Sequence, residues 1–468
     1  MCGVLGIIGE HGLEEARSLL LLLHHRGQDG CGMVWFHGDH VYSSKALGSP
    51  ERLSIPKNTA GMILGSTRYP TSGRRLSSES ELDLMVGPFV ADSLALTHNG
   101  NITNIRALTK TQYDCDSKFI LDRLHANLQK AEGDLVRAFR LLENEVDGAF
   151  SLVGVYRDQL FAYRDSRGFK PLVFGHSDNK GVVASESTVL DMAGIELERD
   201  VYPGELLIFN RDGHTESYSI MQGRHHSHCF FEYVYFAHPA ARIENQLVYD
   251  VRFRLGRALA QLFRKRGLEP PDYVVPVPDT SRPAAQALAE ELQVPMREVI
   301  LKNRYLGRTF IAQTQEERDR MARNKYLYLE DKVRGRNLLI VDDSIVRGTT
   351  AKMMVADLRR LGARRVYFAV TSPPQIHPCY YGIDISTSRE LIASHMNEDE
   401  ICRFIGADAL IYQDLNSLVN AIGMKDNCLA CLNGQYPTEY ARAIWNAVTR
   451  CDQLNSAQAG RDYERVIG

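Results

Sequence analysis

Apolar residues in the first 218 positions fall in short runs: "GMVWFHG", "AGMILGSTRY", "SLALTHNGN", "GAFSLVGVYRDQLFAYRD" and "KGVVASE". Runs of this length, bounded by turn residues, predict strands. Two stretches carry helical spacing instead: "LEEARSLLLLLHHRG", and the segment from Ser117 to about Gln129 with its continuation to Leu142. Strands grouped together and helices grouped apart predict an α+β layered domain.

The texture changes at "RHHSHCFFEYVYFAHP", and from about Val248 helix and strand patterns alternate. "VRFRLGRALAQLFRKRG" and "SRPAAQALAEELQ" read as helices, and "DYVVPVP" and "MREVILKN" as strands. After a charged stretch come the strand "RNLLIVDD", the helix "TTAKMMVADLRRLG" and the strand "RRVYFAV". Nearly all-apolar strands between helices predict a parallel sheet covered on both faces. Beyond about Asp414 the pattern predicts short helices and holds a cysteine pair. The expected division is 2–222, 223–415 and 416–468, within the two or three domains that 468 residues allow.

Composition removes several functional classes. Apolar content of 44% and charged content of 24% are those of a soluble globular protein. A net charge of -3 offers no bulk attraction to nucleic acid or anionic membrane. No apolar run approaches the roughly 20 residues of a membrane helix, and the start lacks the pattern of a signal peptide. A cytoplasmic location is expected. There, the 9 cysteines are buried thiols, ligands or catalysts rather than a disulfide framework.

"LLIVDDSIVRGTTAKMM" is the most informative stretch. Leu338 to Val341 form a strand, Asp342 and Asp343 stand at its carboxyl end, and the turn Ser344–Thr350 enters a helix. Open α/β sheets bind ligands at that edge. A hydroxyl-rich turn before a helix N-terminus offers N–H groups and a positive dipole end to a phosphate. The two carboxylates repel phosphate, so ribose hydroxyls or Mg²⁺ are their expected partners. Helix capping also uses Asp and Thr, but adjacent acids followed by "RGTT" exceed that need. The stretch lacks G-x-x-x-x-G-K-[ST] and is no P-loop.

It resembles the phosphoribosyltransferase signature, which binds 5-phosphoribosyl-1-pyrophosphate (PRPP). The resemblance implies a type I phosphoribosyltransferase domain, with Asp342 and Asp343 on ribose and metal. Ser344, Ile345, Val346, Arg347, Gly348, Thr349 and Thr350 would wrap the 5-phosphate. "PVPDTSRPAA" resembles the pyrophosphate loop of that family, implying Asp279 and Thr280 near Mg²⁺. Between the motifs, "LKNRYLGRTFIAQTQEERDRMARNK" is long for a loop in a compact domain, which suggests a lid. Lys302, Arg304 and Arg308 are its candidate pyrophosphate ligands; "EERDRMARNK" reads equally as an exposed helix.

A cysteine directly behind Met1 raises a different chemistry. With Met1 removed, Cys2 carries a thiol and an α-amine of pKa near 8, a nucleophile with its own base. "HRGQDG" supplies Arg26, "STRYPTSG" Arg68, "LTHNGN" Asn99 and Gly100, and "DCDSK" Asp116. Arg68 suits a carboxylate clamp, Asn99 and the Gly100 N–H suit an oxyanion hole, and Asp116 suits a substrate amine. Singly, each has an ordinary reading, such as a surface arginine or a hairpin Asn-Gly. In this order behind Cys2, they resemble the glutamine site of N-terminal-nucleophile (Ntn) amidotransferases. That family implies an Ntn hydrolase four-layer sandwich, glutamine bound by Arg26, Arg68 and Asp116, and release of ammonia through a thioester.

Glutaminase first and phosphoribosyltransferase second resembles the glutamine phosphoribosylpyrophosphate amidotransferase family, from Cys2 to about Tyr436. The resemblance implies synthesis of 5-phosphoribosylamine at the start of purine synthesis, a closed ammonia passage, dimers or tetramers, and inhibition by purine nucleotides. The chain departs from the family at Ser66, Ser166, His238, Ala240, Gln313 and Tyr326. A paralogue with altered substrate or regulation, or a nucleotide sensor, stays open beside it. An amidotransferase serving another acceptor shares only the first half.

Cys229, Cys379, Cys428 and Cys431 have no part in either chemistry. A lone C-x-x-C is weak, and buried thiols are common. All four sit in stretches similar to the iron–sulfur branch of this family, implying a structural [4Fe–4S] cluster. A four-cysteine zinc site is the alternative.

Overall fold

The computed structural model describes residues 2–450 apart from 39, 71–75, 77, 178–179, 304–325 and 386. Gly3–Gly12 lies inside a seven-stranded sheet, antiparallel to Thr59–Arg68 on one side and Lys180–Ala184 on the other. Its side chains alternate between two cores, as the period of a strand requires. Leu5 and Ile7 pack under the helices Leu13–Leu22 and Thr188–Ala193. Val4 and Ile8 face a second, six-stranded sheet, meeting Val153, Val155, Ala162 and Leu207.

The outer face of that second sheet is covered by Asp116–Lys130 and Leu135–Glu145 through Phe119, Leu124, Phe139 and Leu142. Helix, sheet, sheet and helix therefore stack in the expected four layers. The helical stretch expected to continue to Leu142 is two helices, because Glu132 and Gly133 take left-handed φ of +56° and +87°.

In the second half, Tyr273–Pro276, Asn337–Asp342, Arg365–Val370 and Ala409–Tyr412 form a parallel sheet in that order. Val248–Lys265 and Arg282–Leu292 cover one face, Thr349–Arg360 and Glu398–Ile405 the other. Val274 also makes a single parallel bridge to Met296, on the opposite side from Leu339. The chain thus leaves Tyr273–Pro276 to one side and later returns on the other. A crevice at the carboxyl ends is the expected result of such a reversal.

"MREVILKN" departs from expectation. Beyond the Met296 bridge it does not join the parallel sheet; only Ile300–Lys302 is a strand, antiparallel to Tyr326–Tyr328. The cause is charge: Arg297 and Glu298 are exposed, and a parallel sheet covered on both faces has no place for them. Among the described residues, no helix is long and apolar enough to cross a membrane.

The helices Val248–Lys265 and Arg282–Leu292 touch backbone to backbone at Gly256, where a Cβ would lie 2.1 Å from the Ala284 carbonyl oxygen. Gly256→Ala should therefore cost about 1–3 kcal/mol by overpacking, visible as a lower denaturant midpoint. An unchanged midpoint would mean that the helices separate at no cost.

Candidate active site

The residue-2 nitrogen donates a 3.0 Å hydrogen bond to Asn99 Oδ1, and the thiol of Cys2 lies 3.8 Å from the Tyr69 carbonyl oxygen. Using Oδ1 in this way leaves Asn99 Nδ2, which is buried and has no hydrogen-bond partner among the described residues. A buried donor left unpaired costs about 1–3 kcal/mol, so it is open to a ligand acceptor.

Gly100 follows on the same strand, Leu94–Ile102, where an added Cβ would sit 1.8 Å from the Ala149 carbonyl oxygen. No larger residue fits there. Asp116 begins its helix nearby, buried, with Oδ1 3.8 Å from Nδ1 of His98. Arg68 is also buried, and its guanidinium is bonded to Asp29. A substrate carboxylate at Arg68 would therefore share it with Asp29.

Arg26 is held by the protein: its side chain is 0% exposed and lies between two carboxylates. Nη1 reaches Glu186 at 2.6 Å and Glu232 at 3.0 Å, Nη2 reaches Glu232 at 2.7 Å, and Nε lies 3.3 Å from the Cys2 carbonyl oxygen. Burial acts to discharge the guanidinium, but the two carboxylates outweigh it and hold the charge. Glu232 lies on the wide helical turn Glu232–Phe236, which packs with the second half. Arg26 therefore supports Cys2 from behind and ties it to the domain junction.

At the other site, Asp342 ends its strand and Asp343 is buried behind it. Thr280 Oγ1 donates to Asp343 Oδ2 at 2.5 Å, Ser344 Oγ to Asp343 Oδ1 at 2.7 Å, and the Asp343 N–H to Asp342 Oδ1 at 2.9 Å. Gly348 caps the helix Thr349–Arg360 at φ +74°, packed against Ile392 and Phe404. Arg347 pairs with Glu390 at 2.9 Å, and Lys302 with Asp279 at 3.3 Å. Arg304 and Arg308, with most of the expected lid, lie outside the described residues.

A cavity of about 980 Å³ at the sugar site extends to Tyr69, whose carbonyl oxygen lies beside the Cys2 thiol. Asp342, Asp343 and Ser344 to Thr350 line one end, and Gln28 and Tyr69 come from the thiol's side. Its lining also includes His238, noted above only as a departure from the family, and His25, Tyr235, Phe236 and Arg252, which the sequence reading did not single out. Most lie within or beside "FFEYVYFAHP", whose density of aromatics was the available signal.

Among the described residues, no three or more His, Cys, Asp or Glu side chains are arranged to hold one metal ion. Mg²⁺ does not need such a cage, since it keeps several waters and takes one or two carboxylates with substrate phosphates. The all-oxygen set of Thr280, Asp342 and Asp343 fits that chemistry. The four cysteines are neighbours without being a single-ion cage. Cys229 and Cys428 sit side by side in a parallel bridge between His228–Cys229 and Asn427–Cys428. Burial pushes the Cys229 thiol up to about 11, and Cys428 and Cys431 higher still, with the other cysteines of the group adding to each shift.

The Arg26 cluster has a consequence in acid. Burial pushes the Glu186 carboxyl up, but His25 and Arg26 together overcome it and hold it at about 2. A depressed carboxyl stabilises the fold above its unfolded value of about 4.3 and loses that contribution as pH falls towards about 2. Arg26→Met strands two buried carboxylates and should destabilise by about 3–5 kcal/mol at neutral pH. The deficit should shrink in acid as they protonate, giving the variant a flatter profile of unfolding midpoint against pH. Parallel profiles would contradict the assignment.

Two family models match, a glutamine amidotransferase domain over residues 74–192 and a phosphoribosyl transferase domain over 248–374. An amidophosphoribosyltransferase of Pseudomonas aeruginosa is 36% identical, covering 90% of this chain and 89% of its own length. That of Methanothermobacter thermautotrophicus is also 36% identical, over 97% and 98%. A Bacillus subtilis glutamine PRPP amidotransferase, solved with ADP and GMP, superposes with a TM-score of 0.83 at 34% identity, over 94% of this chain and 98% of that one. With nearly full-length matches in sequence and structure, the chain belongs to the amidophosphoribosyltransferase family.

Proposed function

We propose that this chain makes 5-phosphoribosylamine, pyrophosphate and glutamate from PRPP, glutamine and water, the opening step of purine synthesis. The observation that carries the reading is the single cavity running from Tyr69, beside the thiol, to Asp342, Asp343 and the Ser344–Thr350 turn. Once Met1 is removed, the α-amine takes the Cys2 proton and the thiolate attacks the glutamine side-chain amide. Asn99 Nδ2 and the Gly100 N–H stabilise the oxyanion. Ammonia leaves, water hydrolyses the thioester, and ammonia displaces pyrophosphate at the sugar. Arg68 and Asp116 hold the glutamine backbone.

At the sugar site, Asp342 and Asp343 take the ribose hydroxyls, and Ser344 to Thr350 take the 5-phosphate. Lys302, Arg304 and Arg308 take pyrophosphate. Mg²⁺, held by Thr280, Asp342 and Asp343, would neutralise the pyrophosphate leaving group. Purine nucleotides carry the same ribose phosphate, and the ADP and GMP bound to the Bacillus relative support inhibition at or near this pocket. Dimers or tetramers, a cytoplasmic location and domain limits of 2–222, 223–415 and 416–468 complete the reading.

The four cysteines belong to it as ligands of a structural [4Fe–4S] cluster. Each thiolate of such a cluster binds its own iron, so its ligands stand farther apart than those of one ion. A four-cysteine zinc site remains the alternative, since zinc takes the same ligands.

Cys2→Ala should abolish glutamine-dependent synthesis and leave ammonia-dependent synthesis within about twofold, because the sugar site is shared and the thiol is not. Asp343→Asn should lower both. Equal loss of both activities in Cys2→Ala, or Met1 retained on active enzyme, would refute the thiol's role.

Anaerobically purified protein should be brown and carry about four irons per chain. Iron-free, fully active protein with four titratable thiols would remove the cluster, and bound zinc would change the cofactor while keeping the ligands.

A further inference from the structure

The loop that carries Cys379 does more than present a thiol. Its Tyr380 carbonyl oxygen accepts a 3.0 Å hydrogen bond from Asn101 Nδ2, one residue beyond Gly100. Two residues further along the loop, Gly382 takes φ +96°, and a Cβ there would lie 2.9 Å from the Gly100 carbonyl oxygen. The backbone of the second half is thus laid directly on the strand Leu94–Ile102 at Gly100 and Asn101.

The loop is itself braced from behind. The N–H groups of Ile376 and His377 both donate to the Cys431 carbonyl oxygen at 3.0 Å. The Tyr381 N–H lies 3.4 Å from Cys379 Sγ, and the Tyr381 ring stacks on Phe169 at 4.1 Å. The Tyr381 hydroxyl meets Thr438, whose own hydroxyl donates to Asp147 Oδ1 at 2.7 Å. Asp147 precedes Gly148–Tyr156, the strand paired with Gly100 and Asn101. The brace therefore closes on both strands that set the position of Gly100.

We infer that Tyr380–Gly382 is a positioning element for the Gly100 peptide, so that Gly382 and Asn101 set the geometry of the oxyanion hole from outside it. The inference rests on the reading of Asn99 and Gly100 as that hole. Its physical basis is the steepness of the requirement: donors must stand about 2.7–3.1 Å from the oxyanion, and a misplacement of about 1 Å costs about 100-fold in rate. Gly382 holds its neighbour without touching substrate. Its replacement acts on the transition state, where the hole is used, and spares ground-state binding of glutamine.

Gly382→Ala should lower kcat for glutamine-dependent synthesis by about 10- to 100-fold, with the glutamine KM within about threefold and ammonia-dependent synthesis within about twofold. Asn101→Ala, which removes the bond to Tyr380 without strain at a positive φ, should show the same pattern to a smaller extent and decides the matter if Gly382→Ala does not fold. The inference is overturned if both variants keep full glutamine turnover, or if both activities fall together. Asn99→Ala, assayed in parallel, separates the two ideas. Full glutamine turnover in that variant would refute the oxyanion reading itself, whereas its loss beside unaffected Gly382 and Asn101 variants would refute only the positioning role.

Discussion

A buried charge cluster joins the two halves of this protein. Arg26 carries a full charge at 0% exposure, which is tolerable only because Glu186 and Glu232 surround it. Glu186 comes from the first half and Glu232 from the junction, so neither half alone satisfies the guanidinium. His25 and the N–H of His238 also bond to Glu186, at 2.8 Å and 3.1 Å. Since Arg26 also touches the Cys2 carbonyl oxygen, the position of the nucleophile depends on the domains being docked. An enzyme that must not release ammonia before the acceptor half is in place gains from that dependence.

The layered first half and the parallel sheet of the second were legible because their cores obey simple periods. Val4 and Ile8 go to one core and Leu5 and Ile7 to another, and the Leu338–Val341 run is buried on both faces. "MREVILKN" misled because its apolar ends outweighed the exposed Arg297 and Glu298 at its centre. The helix Glu398–Ile405 had an announced start, the Asn397–Glu400 capping box, within a stretch otherwise too polar to stand out.

The site was legible to the extent that chemistry marks single residues. Cys2, Asn99, Asp342 and Asp343 are unusual where they stand. Arg26 was singled out for its motif, but its contacts with Glu186 and Glu232 were not legible, because sequence does not show which acids the fold brings to an arginine. Those two acids passed unnoticed for the same reason. Their partner lies 160 and 206 positions away, a pairing that only the fold creates.

Part of the cavity wall is apolar, which sets what a charged ligand loses on entering it. Tyr235, Phe236 and Ala237 stand in that wall, and moving a cation out of water against such surfaces costs several kcal/mol that a neutral molecule avoids. Arg252 stands beside them. Burial brings its guanidinium down to about 10, which leaves it charged at neutral pH, with its donors fixed on the carbonyl oxygens of Tyr233, Tyr235 and Ala237. Asp343 faces that charge and offsets it, so the acids at the sugar end remain the cation-binding part of the cavity. Burial also lowers the pKa of His238, which keeps that ring uncharged where it borders the cavity. Apolar and aromatic groups beside the junction thus border the acidic sugar end within one cavity, so neutral and charged ligands meet different parts of its wall.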